Sequence, residues 1–114
     1  MGHANRPFLI KQFDLLPVVS AQLVEEADGD PIDLGSASQV AFHWRATGAN
    51  QGLGTGIATT TNASQGQVEY HWTASQTATE GYFQAEFVAT YASGKCQTVP
   101  NRGYIPVVVG DDIA

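Results

Sequence analysis

Three histidines, eleven carboxylates and a single cysteine are the side chains of this 114-residue chain that bring metal or nucleophilic chemistry within reach. His43 and His71 stand on the polar sides of two alternating segments, with Glu69 beside the second. Two imidazoles and a carboxylate meeting across a sheet would begin a zinc-type site. Nothing in the sequence sets that pairing, and His3 lies at the N-terminus, so surface histidines without a metal are expected. Asp28, Asp30 and Asp33 form Asp-x-Asp-x-x-Asp, which offers oxygens to calcium. The run lacks the full helix-flanked loop and its closing Glu, and a solvated turn explains it. Glu25 and Glu26 are adjacent, so on a strand they point apart, whereas a glycosidase pair must face one substrate.

Nucleophilic and nucleotide chemistry find as little support. Cys96 sits in Lys95-Cys96-Gln97 with no histidine nearby, and Ser20, Ser36, Ser38, Ser75 and Ser93 lack the strand–turn–helix setting of a nucleophile elbow. Gly52-Leu53-Gly54-Thr55-Gly56 lacks the Gly-Lys-Ser/Thr end of a phosphate-binding loop, so residues 48–56 are expected to form a surface loop. Trp44 and Trp72 would make a sugar platform if exposed. Both continue the apolar side of an alternating segment, as do Tyr70 and Phe83, and core positions are expected for all four. Tyr82 faces the other way and is the better candidate for an intersubunit contact. No catalytic residue, cofactor site or metal site is expected, and the chain is read as non-enzymatic.

The elements that would position these groups are short and extended. In residues 39–45, Val40, Phe42 and Trp44 share one face, while Ala41, His43 and Arg45 share the other. Residues 67–72 repeat the pattern with Val68, Tyr70 and Trp72. Residues 81–92 extend it through Phe83, Ala85, Phe87, Ala89 and Tyr91. Period-two alternation is the signature of half-buried antiparallel strands. Ser93-Gly94 supplies a reversal and 95–99 the return strand. Further strands are expected at 8–13, 18–24, 56–61 and 104–109, with a short segment at 31–34 and one helical or 3₁₀ turn within 74–80. The expected fold is all-β, an immunoglobulin-like antiparallel β-sandwich of roughly seven to nine short strands. It would occupy residues 7–109, between an N-terminal arm (1–6) and an acidic C-terminal tail (110–114).

Composition narrows the function classes. Five Lys and Arg against eleven Asp and Glu give a net charge of −6, so a nucleic-acid surface, which needs a basic patch, is not expected. One cysteine excludes an intrachain disulfide. Residues 1–6 lack the apolar run of a signal peptide, and 104–109, broken by Pro106, is too short to span a bilayer; a soluble chain without membrane insertion is expected.

The segments Pro31-Ile32-Asp33-Leu34, Val40-Ala41-Phe42-His43-Trp44, Gly66-Gln67-Val68-Glu69-Tyr70-His71-Trp72, Thr79-Glu80-Gly81-Tyr82-Phe83-Gln84-Ala85-Glu86-Phe87 and Pro100-Asn101-Arg102-Gly103-Tyr104-Ile105-Pro106-Val107 carry a resemblance. In order and spacing they resemble the immunoglobulin-like N-terminal domain of tailed-phage upper baseplate proteins and related small phage virion proteins. The resemblance implies a structural module of the virion, assembled in the host cytoplasm, whose partners are other phage structural proteins in a symmetric homo-oligomer. It implies a tail, baseplate or neck adaptor. The chain ends at Ala114 without an appended receptor-binding portion, which favours a stand-alone adaptor over an adhesin; capsid decoration and carbohydrate binding are the alternatives. Gly2, His3 and Arg6 in the arm, Leu53 in the glycine-rich loop, Tyr82, and Asp111 and Asp112 in the tail are the expected assembly contacts.

Overall fold

A computed structural model of the chain describes residues 7–25, 27–48, 54–100 and 103–111. Its strands are β1 (Phe8–Lys11), β2 (Val19–Gln22), β3 (Ala37–Ala46), β4 (Gly54–Asn62), β5 (Gln67–Tyr70), β6 (Gly81–Tyr91), β7 (Cys96–Val99) and β8 (Ile105–Gly110), with a 3₁₀ turn at Ala63–Gln65. They form one eight-stranded sheet in the order β1-β8-β6-β3-β4-β5-β2, with β7 beside the second half of β6. Residues 31–34 contribute only a bridge between Val24 and Pro31, and residues 74–80 form turns.

The expected immunoglobulin-like sandwich is corrected by this topology. The chain is all-β, but its single sheet winds through 332° round an axis and closes into a near-complete barrel. Strand β4 makes the difference. Its first half pairs with β3, from Val40↔Ala58 to Trp44↔Gly54, and its second half pairs with β5, from Thr59↔Glu69 to Asn62↔Gln67. Hydrogen bonding therefore passes without a break from one wall to the other, and a register shift between Thr60 and Asn62 sharpens the bend there. Alternation hides one face of each strand equally well in a sandwich or a barrel, so periodicity does not separate them.

The inward positions are those the alternation marks. Val40, Phe42, Trp44, Val68, Tyr70, Trp72, Phe83, Ala85, Phe87 and Ala89 are all buried in one core. Aromatic rings organise it: Phe42 stacks on Tyr70 at 4.2 Å and meets Phe87 edge-on at 5.2 Å. Trp72 meets Trp44 at 5.1 Å.

Small residues accommodate these rings. The inward positions of β4 are Gly54, Gly56 and Ala58. A Cβ on Gly54 would lie 2.8 Å from Trp44 Nε1, and one on Gly56 would lie 2.6 Å from Tyr70 Cε1. The glycines read from the sequence as part of a loop are thus, at 54 and 56, strand residues that leave room for bulky neighbours.

The edges of the sheet are β1, parallel to β8, and β2, antiparallel to β5. Between them the chain is tied to the 73–80 crossing. The Phe13 N–H donates to the Thr77 carbonyl at 3.0 Å, and the buried Thr77 hydroxyl donates to the Asp14 carbonyl at 3.1 Å.

Candidate functional site

Because the inward faces fill the barrel, chemistry is left to the outward residues and the turns. The outward rows of β3, β6 and β8 carry the densest set. Register places Arg45 opposite Gln84, and Gln84 opposite Pro106; two residues along, His43 lies opposite Glu86 on one side and Thr55 on the other. Tyr104 stands just before β8 at the end of these rows. Together His43, Arg45, Thr55, Gln84, Glu86 and Tyr104 line an open groove of about 560 Å³.

Arg45 is held at the centre of the groove. Its Nε donates to Gln84 Oε1 at 3.1 Å, and a terminal nitrogen donates to the Tyr104 hydroxyl at 2.9 Å. The guanidinium carbon lies 4.9 Å from the centre of the Tyr104 ring, within cation–π range. Among the described residues no carboxylate lies in ion-pair contact with Arg45; the ion pairs there are His43–Glu86 at 3.8 Å and His71–Glu69 at 3.2 Å. Glu86 is part-exposed, with 28% of its side chain open to solvent, and makes no hydrogen bond to another described residue; His43 Nδ1 stands 3.8 Å away. The groove thus presents an oriented cation and a carboxylate, each with bonding capacity left over.

A second concavity of about 340 Å³ shares Gln84 and Tyr104 and continues over Thr47, Tyr82, Pro106 and Val108. Beside it runs an apolar row, since Leu9 is registered with Val108 and Val108 with Tyr82. Tyr82 is 72% exposed and Leu9 62%, and the nearby Tyr104 is also exposed.

The expected site residues fall as follows. Tyr82 projects outward from β6, on the face opposite Phe83. Asp111 is exposed immediately after β8. Gly2, His3, Arg6, Leu53 and Asp112 lie outside the described residues. His43 and His71 do not meet, because β4 lies between β3 and β5 in the sheet. Among the described residues no group of three His, Cys, Asp or Glu side chains is placed to hold a metal ion. Asp28 accepts from the Asp30 N–H at 3.0 Å and Asp33 from the Gly35 N–H at 2.8 Å, the local bonds that shape a turn. Glu25 accepts from Gln97 Nε2 at 3.2 Å, while Glu26 lies outside the described residues. Trp44 and Trp72 are only 3% and 4% exposed, so neither offers a face to a sugar. Cys96 is exposed on β7.

Arg45, Gln84, Glu86 and Tyr104 were not singled out by sequence reasoning. The alternation puts Arg45 on the face of His43 and Gln84 on the face of Glu86, but their meeting depends on the β3–β6 register. No protein-family model matches the chain, and neither does any curated protein.

Proposed function

We propose that the chain is a non-enzymatic structural module of a phage particle, an adaptor of the tail, baseplate or neck that works through contacts with neighbouring subunits. The observation that carries this reading is the outward face of β1, β8, β6 and β3. There the apolar row Leu9–Val108–Tyr82 lies beside the Arg45–Tyr104 pair. Exposed tyrosines and a part-buried arginine beside aliphatic side chains match the composition enriched at the centres of protein interfaces. The sequence resemblance to the N-terminal domain of upper baseplate proteins and small virion proteins supports the particle as the setting, with the barrel in place of a sandwich as scaffold. Burial of both tryptophans takes those two rings away from any sugar platform, which leaves the exposed Tyr82 as the ring on which a carbohydrate-binding reading would rest.

Quantitative mass spectrometry of purified particles from the source, with the major capsid and tail proteins as internal standards, tests the proposal. A few to a few dozen copies per particle is the outcome expected of an adaptor within a symmetric tail assembly. Hundreds of copies would move the chain to capsid decoration or to a repeated ornament of the tail tube. Reproducible absence from intact particles would overturn the virion reading.

A further inference from the structure

The groove over β3 and β6 has a charge pattern specific enough to name the chemistry of what it takes. Gln84 and the Tyr104 hydroxyl each accept one hydrogen bond from Arg45, and together they hold its guanidinium against the Tyr104 ring. An arginine held in this way has little freedom left to lose on binding, and its remaining N–H groups suit the two oxygens of a carboxylate. One pleat repeat away, the ion-pair contact of Glu86 among the described residues is His43 Nδ1, at 3.8 Å. Its side chain is part-exposed and accepts no hydrogen bond from another described residue, so an incoming N–H or ammonium finds a carboxylate free to pair.

The spacing of these two sites is set by the sheet. Arg45 and His43 are two residues apart on β3, as are Gln84 and Glu86 on β6, which places the rows about 6.5–7 Å apart. Alternate side chains of any extended segment have the same separation. We propose that this groove docks an extended segment of a partner protein carrying an acidic residue and, two positions along, a lysine or other donor: the acid on Arg45 and the donor on Glu86. The side chain two positions from the acid, on the side away from the donor, then lies towards Tyr82, Pro106 and Val108, where an apolar side chain is favoured. A purely acidic segment is disfavoured, because Glu86 repels a second carboxylate and the chain already carries a net charge of −6. This inference deepens the attachment reading and rests on it for the class of partner.

The test is an NMR titration of the full ¹⁵N-labelled chain with the peptide acetyl-Thr-Asp-Val-Lys-Thr-amide. Parallel titrations use the Asp-to-Asn and Lys-to-Gln peptides, and glucuronate as a free carboxylate on a sugar. The parent peptide should shift the Arg45 Nε–H and the amide signals of 84–86 and 104, with a dissociation constant on the order of 1 mM for so short a segment. Each peptide substitution should weaken binding at least about fivefold to tenfold. Arg45→Met, which keeps the aliphatic stem, should do the same to the parent peptide and should not weaken the Asn peptide further. That non-additivity is what a direct Arg45–Asp contact requires. Tyr104→Phe keeps the ring and removes the hydroxyl, so it should give an intermediate loss. Unchanged melting temperatures for both variants separate these effects from misfolding.

Equal binding of the Asp and Asn peptides, or of the parent peptide to Arg45→Met, would overturn the proposal. So would glucuronate matching the peptide at the same signals, since that would assign the groove to a free carboxylate. Peptide binding and presence in the particle are read independently. A chain found in particles that ignores the peptides would lose the groove assignment alone, and a chain absent from particles that binds them would lose the virion reading alone.

Discussion

Replacing Gly56 by alanine would put a methyl group where the barrel has no room for one. Gly56 faces inward on β4, registered with Phe42, and the new Cβ would lie 2.6 Å from both Cε1 and the hydroxyl oxygen of Tyr70. Tyr70 has little freedom to yield. It is buried, its ring stacks on Phe42 at 4.2 Å, and its hydroxyl donates to Gln76 Oε1 at 2.8 Å. The same Gln76 oxygen accepts from the Thr73 N–H at 2.9 Å, so a displaced tyrosine disturbs the 73–80 crossing as well. Overpacking of a closed core costs about 1–3 kcal/mol. Loss of the hydroxyl bond adds about 1 kcal/mol, and the stiffer unfolded chain offsets about 0.4–1 kcal/mol. A net loss of about 2 kcal/mol follows. Urea unfolding followed by the fluorescence of Trp44 and Trp72, which sit in the same aromatic cluster, would read it as a midpoint lowered by about 1 M. The neighbouring outward residue supplies the control: Ile57→Ala, at an exposed position, should stay within about 0.5 kcal/mol of the parent. In a Tyr70→Leu background the alanine at 56 should cost much less, because the clashing ring atoms are gone. A Gly56→Ala protein as stable as the parent, or an equal cost with leucine at 70, would refute the packing of β4 beneath Tyr70.

Three further outcomes are expected. Thr77→Val removes a buried hydroxyl that donates to the Asp14 carbonyl, and because Asp14 is exposed and its carbonyl can take water, calorimetry should show a loss of about 1 kcal/mol. Trp72→Phe removes a buried indole N–H that has no hydrogen-bond partner among the described residues. Its cost in urea unfolding should therefore stay under about 2 kcal/mol, below the 3–5 kcal/mol of a Trp-to-Ala truncation. Tyr91 has its phenol pKa raised above the ordinary 10.0, first by burial and then by the Glu25 and Asp33 carboxylates. The folded state holds that proton more tightly than the unfolded chain, so its contribution to stability is full below the ordinary value and is lost as pH rises through the folded one. Ultraviolet absorbance titration should show a phenol component above 10.0 that vanishes in Tyr91→Phe.

The strands were legible in the sequence because burying one face writes itself into every second residue. Val40, Phe42 and Trp44, or Phe83, Ala85, Phe87 and Ala89, announce both the strand and its inward side, and all of them are buried. The Ser93-Gly94 reversal was equally legible, with Gly94 at a φ of 89° that suits a residue without a side chain. Closure was not. It depends on β4 keeping partners on both edges through a bend, which is a property of backbone hydrogen bonds and leaves no mark on hydropathy. The glycines misled for a related reason. Read alone, Gly52-Leu53-Gly54-Thr55-Gly56 is a flexible loop. Read with Ala58, the last two glycines belong to a run of small residues at every second position, which is what a strand opposite Trp44 and Tyr70 requires.

The groove shows the same division from the other side of the sheet. Its side chains are the polar half of the alternation, so the sequence places them outward without saying which will meet. Their meeting is fixed from within. Phe42 and Phe87 are registered partners, both fully buried, with rings 5.2 Å apart. Counting three residues along β3 from Phe42 and three back along β6 from Phe87 brings Arg45 opposite Gln84; one residue along and one back brings His43 opposite Glu86. A slip of one residue in this pairing would turn inward-facing aromatics outward, at a cost far above that of any surface contact. The hydrophobic contact that fixes the β3–β6 register is therefore also the device that sets the spacing of cation and carboxylate on the surface. A substitution that loosens Phe87 should blur the groove before it unfolds the chain, which makes binding a more sensitive reporter of this register than stability.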